Sequence, residues 1–178
     1  MNRSEIRIAG AGGQGVVTAG RILAEAAILS GSNATHNQVY GPQSRGGASR
    51  SDVVIASDEI GFPLADDIDL LIALSGEAFD KYRQEVVDGG RVIVDSRCAP
   101  ETDDHNTFDF AVVDTARAVS GGQLVTGVVA LGVLQAYAGL VDADALGEAV
   151  AARVPAKHRD MNLEALRAGR ELVNGATP

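Results

Sequence analysis

The fold is decided by a short stretch near the N-terminus, Ile6-Arg7-Ile8-Ala9-Gly10-Ala11-Gly12-Gly13-Gln14-Gly15. Its first four residues are mostly apolar and predict a short strand, and four glycines follow within six positions. After the glycines, apolar residues recur at helical spacing until Gly31, at Val16, Ala19, Leu23, Ala26 and Ala27. A strand, a G-x-G-x-x-G loop and a helix in this order predict a phosphate-binding turn, in which helix N-terminal amides face an anion.

Beyond this stretch, strand patterns and helix patterns alternate along the chain. The sequence predicts further strands over residues 33–40, 52–56, 68–74, 91–95 and 108–113. It predicts helices over residues 77–87, 123–137, 142–153 and 160–173. This alternation indicates an α/β fold, with a mostly parallel twisted sheet, helices on both faces and a helical C-terminal segment.

Composition narrows the possible functions. The 178 residues suit a single domain over residues 1–178, and the net charge of −9 disfavours a nucleic-acid partner. One cysteine, Cys98, and three scattered histidines make a metal centre held by this chain alone improbable. The polar N-terminus and the absence of a long apolar run predict a soluble, cytoplasmic protein without a membrane partner.

The glycine loop alone leaves several interpretations open. The glycines could serve only to make a strand–helix turn. A dinucleotide site requires in addition an acidic residue at the end of the second strand, but there is no Asp or Glu between Ala26 and Ser51. A stand-alone NAD(P)-binding oxidoreductase therefore remains an alternative that lacks its second signal, and a non-catalytic assembly module is another.

A second loop, Tyr40-Gly41-Pro42-Gln43-Ser44-Arg45-Gly46-Gly47, contains the most specific text of the sequence. In a doubly wound sheet this loop is expected beside the first one, at the carboxyl edge of the strands. Arg45 would then face the anion that the first loop attracts, because a guanidinium pairs well with phosphate or carboxylate. Arg50 is a weaker second candidate for the same contact.

Together the two loops resemble those of the gamma subunit of the 2-oxoacid:ferredoxin oxidoreductases. Further similar text is Ser51-Asp52-Val53, Ile72-Ala73-Leu74-Ser75 and Gly89-Gly90-Arg91-Val92-Ile93-Val94-Asp95-Ser96. The resemblance implies a Rossmann-like subunit of an enzyme that oxidatively decarboxylates a 2-oxoacid to an acyl-coenzyme A and passes electrons to ferredoxin. It also implies alpha and beta partner chains, with a delta chain in some members. Thiamine diphosphate, Mg and iron–sulfur clusters are held by those partners.

The resemblance further implies that this chain helps to close the active site and binds coenzyme A, while the chain alone is inactive and its catalytic residues are unknown. The implied coenzyme A contacts are Gly10, Ala11, Gly12, Gly13, Gln14, Gly15, Gln43, Ser44, Arg45, Gly46 and Gly47. Gln43 and Ser44 depart from the pattern, because fused family members carry lysines there. The 2-oxoacid is not identified by the sequence, although separate small gamma chains favour 2-oxoglutarate.

Overall fold

The computed structural model describes residues 3–39, 49–100 and 104–175. Six strands form one sheet, and six helices lie on its two faces, with α5 and α6 packed on other helices. The strands are β1 (Arg3–Gly10), β2 (Asn33–Val39), β3 (Ser49–Ala56), β4 (Ile68–Ala73), β5 (Val86–Asp95) and β6 (Thr107–Phe110). The helices are α1 (Val16–Leu29), α2 (Gly76–Tyr82), α3 (Val112–Ser120), α4 (Thr126–Ala138), α5 (Ala143–Arg153) and α6 (Arg159–Gly175).

The sheet is mixed, with the strand order β2-β3-β1-β4-β5-β6. Five strands run in one direction, while β3 runs in the other and lies between β1 and β2. The prediction of a mostly parallel α/β sheet is therefore confirmed. The antiparallel β3 is an addition that the alternating pattern did not reveal, because strand direction depends on pairing across the sheet.

Helices cover both faces of the sheet, but unequally. One face, called here the helical face, buries Ile6, Ile8, Val53, Ile72 and Ile93 beneath α1, α3, α4, α5 and α6. The opposite face buries a smaller cluster, which includes Val54, Leu71 and Val94, beneath α2 and Ala65. α1 follows β1 on one face, whereas α2 follows the adjacent, parallel β4 on the other, so the connections after these two strands leave to opposite faces at the point where β1 and β4 lie side by side. Ligands of α/β sheets bind in the crevice at such a point.

The predicted C-terminal helices pack within the domain. Gly132 of α4 and Gly169 of α6 face each other, so that a Cβ added to either would collide with main-chain atoms of the other helix. The small residues of α4 therefore serve internal helix packing, as expected of a buried helix. None of the described helices combines the length and the apolar content that a membrane crossing needs.

Two predicted boundaries are wrong for physical reasons. The strand expected over residues 108–113 ends at Phe110, because Asp95 accepts a hydrogen bond from the Val113 amide at 2.7 Å and so caps the start of α3. The helix expected over residues 77–87 ends at Tyr82, and Val86 already belongs to β5. Gly89 and Gly90 consequently lie inside β5 rather than ending a helix.

Candidate functional site

The first glycine loop connects β1 to α1 by a turn that two of its glycines make possible. Gly13 and Gly15 have φ angles of 89° and 75°, a left-handed conformation that side chains disfavour. At Gly12 no atom of the described residues lies within 4 Å of the position where a Cβ would stand, so these residues leave its backbone open to an incoming ligand. The predicted role of Gly12 fits this geometry, whereas the predicted turn role of Gly10 falls to Gly13 and Gly15.

Gln14 fixes the loop from inside. Its Oε1 accepts a hydrogen bond from the Ala11 amide at 2.7 Å, and its Nε2 donates to the Leu74 carbonyl, at the end of β4, at 3.0 Å. A Cβ on Gly10 would collide with this Gln14 amide group, which explains the glycine at that position. Gln14 is only 3% exposed, so it supports the loop and does not face solvent.

The N-terminus of α1 is left open by its own sequence. Its N-cap residue, Gly15, has no side chain to accept a hydrogen bond, and the first turn contains no acidic residue. The first amides of a helix lack intrahelical partners and carry a partial positive charge. This end of α1 therefore attracts an anion and offers hydrogen-bond donors to it.

A second helix begins against the same loop. The Gly127 amide, in the first turn of α4, donates a hydrogen bond to the Gln14 carbonyl at 2.8 Å. A Cβ on Gly127 would stand 2.7 Å from the Gly15 carbonyl oxygen. Gly15 was predicted to allow close packing of helix and strand, and its close neighbours are instead Leu124 and Gly127 at the start of α4.

The loop opens into a cleft of about 480 Å³. None of the described residues in its lining carries a charged side chain, so nothing there competes with a bound anion. Leu124 forms one wall with a side chain that is 79% exposed. The lining consists of Ala11, Gly12, Gly13, Gly15, Val16, Val17, Thr18, Ser49 and Leu124.

The predicted site residues of the first loop divide into two groups. Ala11, Gly12 and Gly13 are exposed and line the cleft together with Gly15, whereas Gly10 and Gln14 are buried behind them. The predicted contacts of the second loop, Gln43, Ser44, Arg45, Gly46 and Gly47, lie outside the described residues. Ser49, which comes two residues after Gly47 in the sequence, pairs with Gly10 and lines the cleft.

Arg50 lies on the opposite face of the sheet from this cleft. Its Nε is 3.5 Å from Asp52 Oδ2, and its guanidinium lies 5.7 Å from the centre of the Tyr82 ring. Asp52 also accepts two hydrogen bonds from the buried Arg7, at 2.7 and 3.0 Å, and Arg7 pairs with Glu85 as well. Burial lowers the pKa of Arg7, but Asp52 and Glu85 outweigh burial and raise it overall. Arg50 is thus part of a charge cluster that holds β3 to β1.

His36 and Ser51 form a second polar contact, beneath α1. His36 Nε2 and Ser51 Oγ are 2.6 Å apart, and Gly20 of α1 lies so close that a Cβ there would collide with both. Burial, aided by the charge of Arg21, lowers the pKa of His36, while Asp52 partly opposes this shift. This pair supports helix packing and lies away from the cleft lining.

The position of β2 bears on the dinucleotide alternative. A dinucleotide site places the second strand beside the first, where its final acidic residue meets the ribose. Here β3 separates β2 from β1, and β2 ends at Val39 without an acidic residue. The part of the chain that the structure describes therefore does not form the ribose-binding half of that site.

Sequence patterns did not indicate five of the cleft residues. Val16, Val17 and Thr18 follow from counting the first helical positions after Gly15, a signal that was available. Ser49 and Leu124 come from distant segments and are brought to the loop only by tertiary packing.

Cys98 is half-buried against the core of the opposite face and has a free thiol. No group of three metal-binding side chains occurs among the described residues.

Comparison with known proteins places this geometry in a family. Residues 5–172 match the family described as pyruvate ferredoxin/flavodoxin oxidoreductase. The 2-oxoglutarate synthase subunit KorC of Methanothermobacter marburgensis is 39% identical over 180 residues, covering 96% of this chain and 97% of that protein.

Solved structures agree with this match. The crystal structure of the gamma subunit of a keto/oxoacid ferredoxin oxidoreductase from Geobacter sulfurreducens superposes with a TM-score of 0.88, at 39% identity and over the whole of both chains. A 2-oxoglutarate:ferredoxin oxidoreductase from Magnetococcus marinus, solved with 2-oxoglutarate, coenzyme A and succinyl-CoA bound, superposes with a TM-score of 0.87. It is 22% identical and covers 99% of this chain and 32% of that one, so it supports the fold alone. The resemblance in the two loops is confirmed: this chain belongs to the pyruvate ferredoxin/flavodoxin oxidoreductase family.

Proposed function

We propose that this chain is the gamma-type subunit of a multi-subunit 2-oxoacid:ferredoxin oxidoreductase of the 2-oxoglutarate synthase type. In this role it acts with alpha and beta chains, and with a delta chain where the complex has one. The complex removes CO₂ from a 2-oxoacid, passes two electrons to ferredoxin and transfers the acyl group to coenzyme A. The near full-length match to a 2-oxoglutarate synthase subunit supports this assignment. A cytoplasmic location and a single domain over residues 1–178 are part of the same proposal.

The task proposed for this chain is to hold the phosphates of coenzyme A in the cleft at the first glycine loop. The observation that carries this proposal is the open N-terminus of α1, which lacks both a side-chain cap and an acidic first turn. Coenzyme A carries a pyrophosphate and a 3′-phosphate, and such groups suit exposed helix amides. Ala11, Gly12, Gly13 and Gly15 would make the direct contacts, while Gly10 and Gln14 act from behind by keeping the loop in shape.

The second loop completes the proposed site. Gln43, Ser44, Arg45, Gly46 and Gly47 are proposed to approach the same phosphates. The position of Ser49 supports this, since Ser49 comes two residues after Gly47 in the sequence and lines the cleft beside Gly10. Arg45 would supply a charge that the described lining lacks. Arg50 is not part of the proposal, because Asp52 and Tyr82 hold it on the other face of the sheet.

The remaining chemistry is assigned to partner chains. Thiamine diphosphate and Mg would supply decarboxylation, and iron–sulfur clusters would carry the electrons. Cys98 is the only cysteine, and one thiolate does not suffice for a cluster that needs about four. This chain would therefore bind and orient the acyl acceptor and help to exclude water from the site.

The assignment is tested first on the assembled enzyme with Gly12→Val. A Cβ at Gly12 meets no atom of the described residues, so the fold is expected to tolerate valine, while a bound phosphate would lose its close approach. We expect the KM for coenzyme A to rise roughly tenfold or more with little change in the KM for the 2-oxoacid. Gly61→Val is the matched control, because Gly61 likewise has no described neighbour within 4 Å of a Cβ and does not line the cleft. An unchanged coenzyme A constant in Gly12→Val would contradict the proposed site.

A second variant addresses the second loop. Arg45→Ala is expected to cost about 1.5–3 kcal/mol of coenzyme A binding, because it removes a charge-assisted contact. If turnover and all constants stay at wild-type values in both Arg45→Ala and Gly12→Val, the chain is an assembly module rather than a binding subunit.

Purification from the native host tests the assembly itself. Larger partner chains with thiamine diphosphate and iron–sulfur absorbance are expected to copurify. A chain that elutes alone and binds NAD(P) would favour the stand-alone oxidoreductase.

A further inference from the structure

The outer edge of β2 has the features of a strand that pairs with another chain. β2 is the last strand on its side of the sheet, and its seven residues pair with β3 in continuous register without a bulge. It contains no proline and no Asp, Glu, Lys or Arg. Proteins commonly use such residues, or a bulge, to prevent edge strands from pairing. Within the described residues no strand covers this edge.

The other edge of the sheet shows the contrast. β6 has only four residues, and one of them, Asp109, is acidic and exposed. A short edge with a charge offers few main-chain groups to a second strand. The two edges of the sheet therefore differ in length and charge, and β2 is the edge whose main chain suits pairing with a further strand.

Apolar side chains surround this edge on both faces of the sheet. Most of the large exposed apolar side chains of the described residues lie near β2, the exception being Leu124 at the cleft. We call the set of Ile28, Leu29, Val39, Phe62 and Leu64 the β2 patch. On the helical face, Ile28 and Leu29 line a groove of about 600 Å³ with Ala34 and His36. On the other face, Phe62 and Leu64 flank Pro63, which is tied to β2.

The β2 patch is centred on the middle of the strand. The Pro63 carbonyl accepts hydrogen bonds from Thr35 Oγ1 at 2.7 Å and from Asn37 Nδ2 at 2.9 Å, so Pro63 lies against the middle of β2 on the face that Thr35 and Asn37 share. His36 also lines the groove on the helical face. A two-fold axis through this point would pair two β2 strands in antiparallel fashion and bring each apolar cluster opposite its own copy.

We propose that a second copy of this chain occupies the β2 edge, so that two six-stranded sheets join into one across a two-fold axis. The central position of the patch favours a second copy, because an unrelated partner would not require this symmetry. The charges around the groove agree with self-association. Arg21, Glu25 and Arg153 provide both signs, although the whole chain carries −9. Two copies would thus meet without a surplus of negative charge beside the groove.

The oligomeric state of the purified full-length chain tests this proposal. Light scattering across a dilution series is expected to give twice the chain mass of 18.3 kDa at high concentration and the single mass on dilution. Ile28→Lys and Phe62→Lys, on opposite faces, should each weaken the dimer roughly tenfold or more, because they place a charge in an apolar contact. Their side chains are 58% and 50% exposed, so lysine is compatible with the folded monomer. Leu124→Lys is the control, because it also replaces an exposed apolar side chain by lysine but does so away from β2.

Hydrogen exchange gives an independent readout of strand pairing. The amides of β2 that face outward should be protected in the dimer and should lose protection on dilution, while those of β4 stay unchanged. A chain that remains monomeric at all concentrations would overturn the proposal, as would a dimer that both lysine variants leave intact. If either variant fails to fold, the exchange of wild-type β2 on dilution still decides the question.

Discussion

Two helices begin at the same edge of the sheet, after adjacent parallel strands, yet their first turns are built differently. At α2, Ser75 accepts a hydrogen bond from the Ala78 amide at 3.2 Å, and Glu77 lies in the first turn. At α1, Gly15 has no capping side chain, and the first turn contains no acid. The one glutamine beside it, Gln14, turns inward to hold the loop.

The difference is that the first amides of α2 have a side-chain cap and an acidic neighbour, whereas those of α1 have neither. A side-chain cap and an acidic first turn each stabilise a helix, so α1 is less stable without a ligand than it would be with these two features. A group that carries its own negative charge and acceptors would supply what α1 lacks. α1 therefore lacks both of these stabilising features at the place where the proposed function needs an anion.

The largest effect on stability is expected from replacing Gln14, whose side chain holds the loop that precedes α1. Gln14→Ala should lower the free energy of unfolding by about 2–4 kcal/mol, because the Ala11 amide and the Leu74 carbonyl lose their partner and a small cavity remains. Denaturant unfolding of the purified chain measures this change. Gln84→Ala, at an exposed glutamine, is the control and should stay near wild type. Equal stability of the two variants would show that the loop holds its shape without Gln14.

Thr18→Glu removes one of the two differences between these helix ends, since it gives α1 an acidic first turn like that of α2. Thr18 is exposed and lines the cleft. The carboxylate should raise the free energy of unfolding by about 0.3–1 kcal/mol through the helix dipole. The same charge should weaken coenzyme A binding by roughly tenfold, since it competes with the phosphates for the helix amides.

The opposite signs of these two effects are the decisive feature of the Thr18 variant. Thermal unfolding of the chain and the coenzyme A KM of the assembled enzyme measure them separately. Ala143→Glu adds the same charge to the first turn of α5 and should leave the KM unchanged. A stabilised Thr18→Glu enzyme with normal coenzyme A kinetics would remove the α1 end from the proposed site.

Ser75→Ala removes the side-chain cap of α2, which is the other difference between the two helix ends. Loss of the cap should lower the free energy of unfolding by about 1 kcal/mol, as is typical for such a residue. Coenzyme A kinetics should not change, because the end of α2 is filled by its own side chain. A raised coenzyme A constant in this variant would mean that both helix ends serve the ligand.

Local patterns were sufficient for the strand, loop and helix on which the site is built. The apolar residues predicted for α1 from helical spacing are all buried, and Gly12 and Gly13 open into the cleft as expected. These features depend on residues close together in the sequence, which periodicity and glycine content report well.

Features that depend on contacts between residues distant in the sequence could not be predicted from sequence patterns. The run of Val112 and Val113 suggests a strand, but the cap that starts α3 comes from Asp95, which is distant in sequence. Gln14 was expected to contact the ligand, whereas its amide donates to Leu74. Leu124 reaches the cleft only because α4 packs against the loop. Sequence spacing contains no information on such contacts, since they are set when the elements pack.

The smallest expected effect concerns the body of α1 and depends on pH. Burial lowers the pKa of His36, so the folded chain binds a proton at this site less readily than the unfolded chain does. Stability should therefore fall as the pH drops below the unfolded value of about 6.5. His36→Gln retains a group that can form a hydrogen bond with Ser51 but does not titrate, so its melting temperature should decrease less between about pH 7.5 and about pH 5.5.

His158→Gln, at an exposed histidine, is the control and should follow the wild type. Identical pH profiles of the melting temperature for all three proteins would show that the contact between His36 and Ser51 beneath α1 adds nothing to the pH dependence of stability.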